Sequence, residues 1–379
     1  MLGLVYYALI APIGLVILLE IYLLVRHLRI SGDEVEIEEK MEEDLSVVVP
    51  AHNEEGNIRE CARQLLCQEY IDLEIIFVDD NSTDNSYSIC KDLSDKYSNI
   101  RVIKRDDGYN SIARTVRAGI REAQRDYFCS ITCDVRLDSK ALAKCFSYLK
   151  EKDADVVSCP ISPVQTQDSR ILQILSNAKI YRQKFLQKAR DCDFAPLIPG
   201  AFYILRKELI EDKLRDDSFV EDLSLTYDLY QKDSKIAIYP ESLVWEEEKK
   251  DLLSYIHQFT RWSIGNMGLA GKWVRTVREI DGLKRSLGVF SLPYLLYFPA
   301  ILLFLTLLLT FLDPSMFVWP LLSLWATLLF VFMYTTDFRK PFTIFIFSFI
   351  FPLAKVMGVS KGVFLFIKNG RFFKTSDLY

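Results

Sequence analysis

The sequence has no excess of positive charge: its 46 Lys and Arg residues are outnumbered by 51 Asp and Glu residues, and the formal net charge is −5. A chain without a basic field lacks the electrostatic footprint of a nucleic-acid-binding protein, so no nucleic-acid partner is expected. The eight cysteines show no paired metal-ligand spacing, and we expect them to be reduced packing residues. Internal repeats and low-complexity linkers are also absent from the sequence.

Long apolar runs, by contrast, occupy both ends of the chain. Residues 4–25 can cross a bilayer, and no small-residue cleavage site follows them, which favours a retained anchor over a signal peptide. Arg26, His27 and Arg29 follow directly, and this positive charge places the next part of the chain in the cytoplasm. Residues 1–28 are therefore predicted to be the N-terminal transmembrane anchor of a multi-pass cell-membrane protein.

The C-terminal region, residues 286–366, carries further apolar runs. Spanning helices are predicted at 288–312 and 317–335. A single span over 341–366 would export the basic residues near the C-terminus against the charge bias, so a re-entrant pair or an interfacial helix is an equal alternative there. We expect two to three spans in this region and a cytoplasmic tail at 367–379.

Between the apolar ends, residues 44–250 alternate β-rich runs with amphipathic stretches. Strands are predicted at 45–50, 73–79, 100–104, 127–132 and 155–159. Helical spacing is found at Ile58, Ala62, Leu65 and Leu66, and across residues 83–97, 110–125 and 139–150. This alternation predicts an α/β domain with a mostly parallel sheet covered on both faces, which binds ligands at the carboxyl ends of its strands.

Polar residues follow the first two predicted strands, which end near Pro50 and Asp80. Ser82 or Thr83 is expected to cap the next helix, which leaves Asp80 free at the sheet edge. A free carboxylate there can accept a hydrogen bond from a base N–H or a ribose hydroxyl. The alternative is a capping cluster with no ligand.

Gln258, Arg261 and Trp262 are spaced so that they project from one helical face. An amide, a cation and a flat ring on one face suit an acidic, sugar-like ligand. Apolar residues are interspersed on the same helix, which predicts amphipathic helices at the membrane surface over residues 251–285. An interfacial helix with no catalytic part is the alternative.

Several short motifs occur in a fixed order along the chain. They are VVVPAHNEE at 47–55, VDDNSTD at 78–84, Asp134 in TCDVRLD, GAFY at 200–203, Glu221-Asp222, and Gln258-x-x-Arg261-Trp262. Over roughly residues 45–265 the sequence resembles membrane-bound family-2 glycosyltransferases with the GT-A fold. It is similar to polysaccharide synthases and to ceramide glucosyltransferase.

The resemblance implies an inverting glycosyltransferase whose Rossmann-like GT-A domain lies in the cytoplasm, next to one N-terminal and two to three C-terminal transmembrane helices. The implied substrates are a nucleotide-diphosphate sugar, expected to be a UDP-sugar, and a lipid or a growing saccharide. Asp222 is the implied catalytic residue. The implied donor-binding residues are Ala51, Asn53, Glu54, Asp80, Asp134 and Arg261. The implied acceptor-binding residues are Gly200, Glu221, Gln258 and Trp262.

The leaving diphosphate needs a divalent cation, Mg²⁺ or Mn²⁺, and Asp134 is its implied ligand. Thr132 stands where the family usually has a first Asp, as in the single-Asp ceramide glucosyltransferase branch. In-line attack needs a base on the opposite side of the sugar, which the resemblance assigns to Asp222. Asp222 opens a predicted helix at 220–232, whose dipole lowers its pKa, so burial or Glu221 must keep it basic.

Two other functions stay open. A polyprenyl-phosphate sugar transferase shares the fold and the C-terminal membrane helices, but generally lacks the Gln-x-x-Arg-Trp motif. A catalytically silent membrane scaffold is suggested by Thr132 and by the absence of the family's Gly-Lys near Gly108, where Arg114 or Arg117 is the candidate substitute.

Overall fold

The computed structural model describes residues 22, 25, 41, 43–106, 111–164, 194–210, 220–247 and 251–290. The predicted spans therefore lie almost wholly outside the described residues, as does the predicted tail at 367–379. Within the described ranges, no helix combines the length and the apolar character needed to cross a membrane.

The main sheet has seven strands in the order β3-β2-β1-β4-β8-β6-β9. Their bounds are Leu45–Ala51 (β1), Leu73–Asp80 (β2), Ile100–Arg105 (β3), Tyr127–Ile131 (β4), Val156–Ser158 (β6), Phe202–Arg206 (β8) and Ile236–Ile238 (β9). Strands β3, β2, β1 and β4 pair in parallel, whereas β8 runs antiparallel to both β4 and β6. The prediction of a mostly parallel α/β sheet is confirmed.

Helices cover the sheet and continue beyond it. They are Ile58–Leu66 (α1), Ser86–Lys96 (α2), Ile112–Glu122 (α3), Ala141–Glu151 (α4), Glu221–Gln231 (α5), Leu252–Gly268 (α6) and Ala270–Glu279 (α7). Residues 283–290 are helical as well and are called α8 here. A second sheet of three short strands, Val135–Leu137 (β5), Ile161–Val164 (β7) and Val244–Glu247 (β10), has the order β5-β10-β7.

The core has two layers because both faces of the sheet are buried. Successive side chains of a strand point to opposite faces, so Val47 and Val49 enter the core under α1, α2 and α4, whereas Val48 enters the core under α3 and α5. Gly119 lets α3 approach the sheet closely, because a Cβ atom at this position would collide with the side chain of Val48. This packing fixes the positions of the strand ends.

Candidate active site

The carboxyl ends of β2, β1 and β4 lie side by side, since β1 pairs in parallel with both neighbours. Ala51 ends β1 and is almost fully buried, so its side chain belongs to the core. Four of the six predicted donor-binding residues lie here: Ala51 and Asp80 end the two strands, and Asn53 and Glu54 lie in the loop after β1. These strand ends therefore form one edge of the candidate site, as the topology predicts.

Hydrogen bonds join the loop after β1 to the loop after β2. Asn53 has a left-handed backbone conformation with φ of 56°. Its backbone N–H donates to Ser82 Oγ at 3.0 Å, and its Oδ1 accepts from the Thr83 N–H at 2.8 Å. The Glu54 N–H donates to Ser86 Oγ at 2.7 Å. Asn53 and Glu54 thus shape the predicted donor site through contacts within the protein, and their contact with a donor stays a prediction.

Asp80 is not free at the sheet edge, so this expectation is wrong. Asp80 Oδ1 accepts from Arg105 Nη1 at 2.6 Å in a buried ion pair, and its Oδ2 accepts from the Ser111 N–H at 3.0 Å. The cause is the strand register, which places Asp80 directly beside Arg105 at the end of β3. Arg105 Nη1 also donates to Thr115 Oγ1 at 2.8 Å, so the carboxylate is held in a fixed orientation.

The predicted helix cap after β2 is also wrong. Helix α2 begins at Ser86, and neither Ser82 nor Thr83 caps it. Asp84 instead accepts a hydrogen bond at the start of the helix, from the Ser86 N–H to its Oδ1 at 2.9 Å. Its Oδ2 accepts from the Glu55 N–H at 3.2 Å. Ser82 Oγ instead accepts from the Asn53 N–H, and the helix starts three residues later than predicted.

Asp134 lies in the turn between β4 and β5 and is partly buried. No described residue donates a hydrogen bond to its carboxylate. Thr132 Oγ1 is a buried atom that likewise has no hydrogen-bond partner among the described residues. Among all the residues that the structure describes, no group of three or more His, Cys, Asp or Glu side chains is placed to hold a metal ion. The donor set is therefore sparse, with one carboxylate and a neighbouring hydroxyl.

Asp222 lies in the first turn of α5 and is held from two sides. Its Oδ2 accepts from the Gly200 N–H at 3.2 Å, and its Oδ1 accepts from the Leu223 N–H at 2.7 Å. A Cβ at Gly200 would lie 3.3 Å from Asp222 Oδ2 and 3.4 Å from Glu221 Oε1. Both carboxylates therefore gather around the bare Cα of Gly200.

The electrostatics of this carboxylate pair are set first by burial. Desolvation raises the pKa of Asp222, although the N–H groups of Leu223 and Gly200 and the charge of Arg261 act in the opposite direction. Burial, followed by the charge of Asp222, raises the pKa of Glu221 to about 7. The expectation that burial keeps Asp222 basic at a helix N-terminus is therefore supported.

Replacing Glu221 with Gln should remove a loss of stability at high pH. Its folded-state pKa of about 7 lies above its ordinary value of 4.5, so the protein loses stability as pH rises through this interval. Gln cannot ionise. Thermal melts should therefore show a higher Tm for Glu221→Gln than for wild type at pH 8, with little difference at pH 4.5. The exposed Glu208→Gln variant serves as the control, and equal Tm values for Glu221→Gln and wild type at both pH values would contradict this assignment.

Helix α6 brings the Gln-x-x-Arg-Trp residues to the same region. The Arg261 side chain is exposed, and its charge reaches both Glu221 and Asp222. Gln258 Oε1 is a buried atom with no hydrogen-bond partner among the described residues, so it is available to a ligand donor. Trp262 packs against the core layer under α3 and α5. This contact gives it a structural role in addition to the predicted contact with the acceptor.

Residues 46–213 match the family described as Glycosyl transferase family 2. This region, less than half of the chain, is therefore similar to family-2 glycosyltransferases. The probable glycosyltransferase YdaM of Bacillus subtilis is 27% identical over 262 residues, which cover 67% of this chain and 61% of that protein. The glycosyltransferase GlyG of Streptococcus pneumoniae is 35% identical over 117 residues, which cover 31% of this chain and 38% of that protein. The matched part thus spans less than two thirds of either relative.

A solved structure has the same fold as this protein. It is the mannosyltransferase PcManGT of Pyrobaculum calidifontis, in complex with GDP-Man and Mn²⁺, with a TM-score of 0.62 at 16% identity. The alignment covers 96% of this chain and 99% of that chain. The prediction of a GT-A-like fold is confirmed. Residues 46–213 are similar in sequence to glycosyltransferases.

The sequence interpretation missed Arg105 and Thr115, which hold Asp80. One signal was present in the sequence, because Asp80 and Arg105 each directly follow a predicted strand, 73–79 and 100–104, and these strands are neighbours in the sheet. Arg114 and Arg117, the suggested substitutes, lie on α3 and are partly buried.

Proposed function

We propose that this protein is an inverting glycosyltransferase that moves a sugar from a nucleotide-diphosphate donor, a UDP-sugar, to a hydroxyl of a lipid or growing saccharide at the membrane. The observation that carries the proposal is Asp222, a carboxylate of raised pKa that two backbone N–H groups orient within the glycosyltransferase domain. Raised basicity and fixed orientation are the properties that a general base needs.

The proposed step is a single displacement. The acceptor O–H proton moves to the Asp222 carboxylate while the acceptor oxygen forms a new bond to the anomeric carbon. The bond between that carbon and the diphosphate oxygen breaks on the opposite side, and the diphosphate carries away the electron pair. Arg261 is the nearby cation that can pair with the departing diphosphate through its planar fork.

A single carboxylate fits a magnesium or manganese ion that is held chiefly by the donor. Such ions are commonly bound through one or two carboxylates together with substrate phosphates, which agrees with Asp134 and the free Thr132 hydroxyl. The ion supplies charge stabilisation to the leaving diphosphate. Asp134 and Thr132 supply oxygen atoms on the protein side of it.

Replacing Asp134 with Asn should weaken donor binding only when the metal is present. Asparagine keeps one oxygen but loses the charge that holds the cation, so the donor affinity in Mn²⁺ should fall about tenfold or more. Calorimetric titration of the donor with Mn²⁺ and with EDTA measures this difference. The Asp138→Asn variant is the control, because Asp138 lies at the opposite end of β5 from Asp134. An unchanged donor affinity in Mn²⁺ would remove Asp134 from the metal site.

The acceptor class follows from the two carboxylates beside Gly200. A hydroxyl must lose a proton as it attacks, so it needs a base such as Asp222. A lipid phosphate is already anionic, needs no base, and would be repelled by Glu221 and Asp222. The site therefore favours a hydroxyl acceptor over the polyprenyl phosphate of the alternative function.

The membrane location is part of the same proposal. It rests on the apolar runs at 4–25, 288–312 and 317–335, with the glycosyltransferase domain on the cytoplasmic side. A membrane next to α6 would give a lipid or a membrane-bound saccharide direct access to Arg261 and Asp222. Fusing a reporter to each predicted loop and testing its accessibility in intact cells examines this topology.

The full chain in detergent should be incubated with radiolabelled nucleotide sugars, Mn²⁺ and total lipid extract. The proposal predicts incorporation of one sugar into a lipid or saccharide product, and slow hydrolysis of the same donor without acceptor. A product with a sugar phosphodiester would favour the polyprenyl-phosphate alternative. No transfer and no hydrolysis of any donor would favour the silent scaffold.

A further inference from the structure

A short buried segment leads into Gly200, and we call residues 194–200 the strap. Pro196 and Pro199 fix two of its φ angles, which makes the strap stiff. Ala195 has a φ of 53°, a left-handed conformation that is unusual for an alanine, and all the more so before a proline. Phe194, Ala195 and Ile198 are almost fully buried. A stiff, buried segment of this kind transmits a displacement along its length.

The strap is bound to a single face of α5 from Pro196 to Gly200. The Gly200 N–H donates to Asp222 Oδ2 at 3.2 Å, and the Ile198 N–H donates to Thr226 Oγ1 at 3.3 Å. One helical turn further on, Tyr230 Oη donates to the Pro196 carbonyl at 2.6 Å. Asp222, Thr226 and Tyr230 are four residues apart and lie on one face. The strap thus runs alongside α5 and ends on the Asp222 carboxylate.

The first residues of the strap, Phe194 and Ala195, support α8. A Cβ at Gly288 would lie 2.7 Å from the carbonyl oxygen of Phe194 and 2.8 Å from the Cβ of Ala195. Only glycine allows this approach without a shift of backbone. Trp273 Nε1 donates to the Val289 carbonyl at 3.0 Å, which holds α8 against α7. The Tyr22 ring lies 5.6 Å from the Phe194 ring. Tyr22 and Gly288 therefore both contact the start of the strap.

We propose that the strap couples the position of α8 to the Asp222 carboxylate, so that Gly288 is a positioning residue for sugar transfer. The proposal rests on the proposed role of Asp222. Helix α8 leads directly into the apolar run at 288–312, so its position depends on how that run sits in the membrane. A shift of α8 would displace Phe194, and the stiff strap would carry the displacement to the Gly200 N–H.

The consequence for Asp222 is specific. The groups that face it are the Gly200 and Leu223 N–H groups, the Glu221 carboxylate and the Arg261 guanidinium. If the Gly200 N–H moves away, the ionised carboxylate loses a donor and also its orientation. The transfer step should then slow, while donor binding at the carboxyl ends of β1 and β2 is unaffected.

The test compares Gly288→Ala with Gly271→Ala in the full chain. Gly271 is an exposed helical glycine with open space around it, so both substitutions raise helix propensity alike. We expect Gly288→Ala to lower kcat about tenfold or more with an unchanged KM for the donor, because small misplacements of reacting groups are costly. The acid limb of its kcat profile should move to higher pH. Gly271→Ala should match wild type.

A second variant changes a contact of the strap with α5 and leaves the contact with α8 intact. Thr226→Val removes the hydroxyl that holds the Ile198 N–H with little change in shape, and it should give the same fall in kcat at unchanged donor KM. It also serves if Gly288→Ala fails to fold. Wild-type kcat and pH profile in the folded variants would overturn the coupling. Asp222→Asn is assayed alongside, because turnover by that variant would overturn the proposed function itself, whereas its inactivity leaves only the coupling in question.

Discussion

Replacing Asp222 with Asn should lower kcat for sugar transfer at least about a thousandfold, near the upper end of what a general base contributes. Asparagine is nearly isosteric and its amide oxygen can still accept from Gly200 N–H, but it cannot take up the proton of the acceptor hydroxyl. Transfer of radiolabelled sugar to the acceptor, measured at saturating donor, gives the turnover of both proteins.

The matched control for this substitution is Asp228→Asn on the same helix. Asp228 Oδ2 accepts from Lys272 Nζ at 2.6 Å and ties α7 to α5. Breaking this contact should lower the Tm, but any folded protein should retain turnover within a few fold. If Asp228→Asn lost activity as completely as Asp222→Asn, the effect would belong to the helix rather than to the carboxylate.

Replacing Arg261 with Ala should lower kcat about a hundredfold to a thousandfold, comparable to the loss of one preorganised donor to a developing negative charge. Its charge lies close enough to Glu221 and Asp222 to oppose the rise in pKa of both groups. The loss of Arg261 should therefore also move the acid limb of activity to higher pH. Steady-state kinetics over a range of pH, together with donor affinity by calorimetry, measure both effects.

Arg261→Lys separates charge from geometry. Lysine keeps the positive charge but lacks the planar fork, so its kcat should lie between those of wild type and Arg261→Ala. Arg275→Ala removes an exposed arginine from α7 and should behave as wild type. Unchanged turnover and donor affinity in Arg261→Ala would support the alternative in which this helix has only an interfacial role.

The parallel part of the fold could be predicted from the sequence because its signals are local. Strands β1 and β2 are continuous apolar runs, and α5 begins at the Glu221-Asp222 pair within one residue of its predicted start. The short strands β5, β7 and β10 were not predicted. Three or four residues give too short a pattern to read, and these strands form only through pairing with distant parts of the chain.

The partners of the site residues could not be predicted in the same way. The pairing of Asp80 with Arg105 depends on the register between β2 and β3, and the contact of Gly288 with Phe194 joins positions far apart in the sequence. The pKa of Asp222 is raised by burial, which forms only in the folded protein. The sequence identified the chemistry of these side chains, but their protonation and orientation are set by the tertiary structure.

The central claim is that Asp222 acts as the base in the transfer step and not as a donor ligand. Its most direct test measures donor affinity and turnover of Asp222→Asn on a single preparation, with wild type alongside. We predict a donor Kd within about twofold of wild type, because Asp222 accepts its hydrogen bonds from Gly200 and Leu223, together with turnover below detection. Retained turnover, or turnover lost only in proportion to donor binding, would contradict the claim.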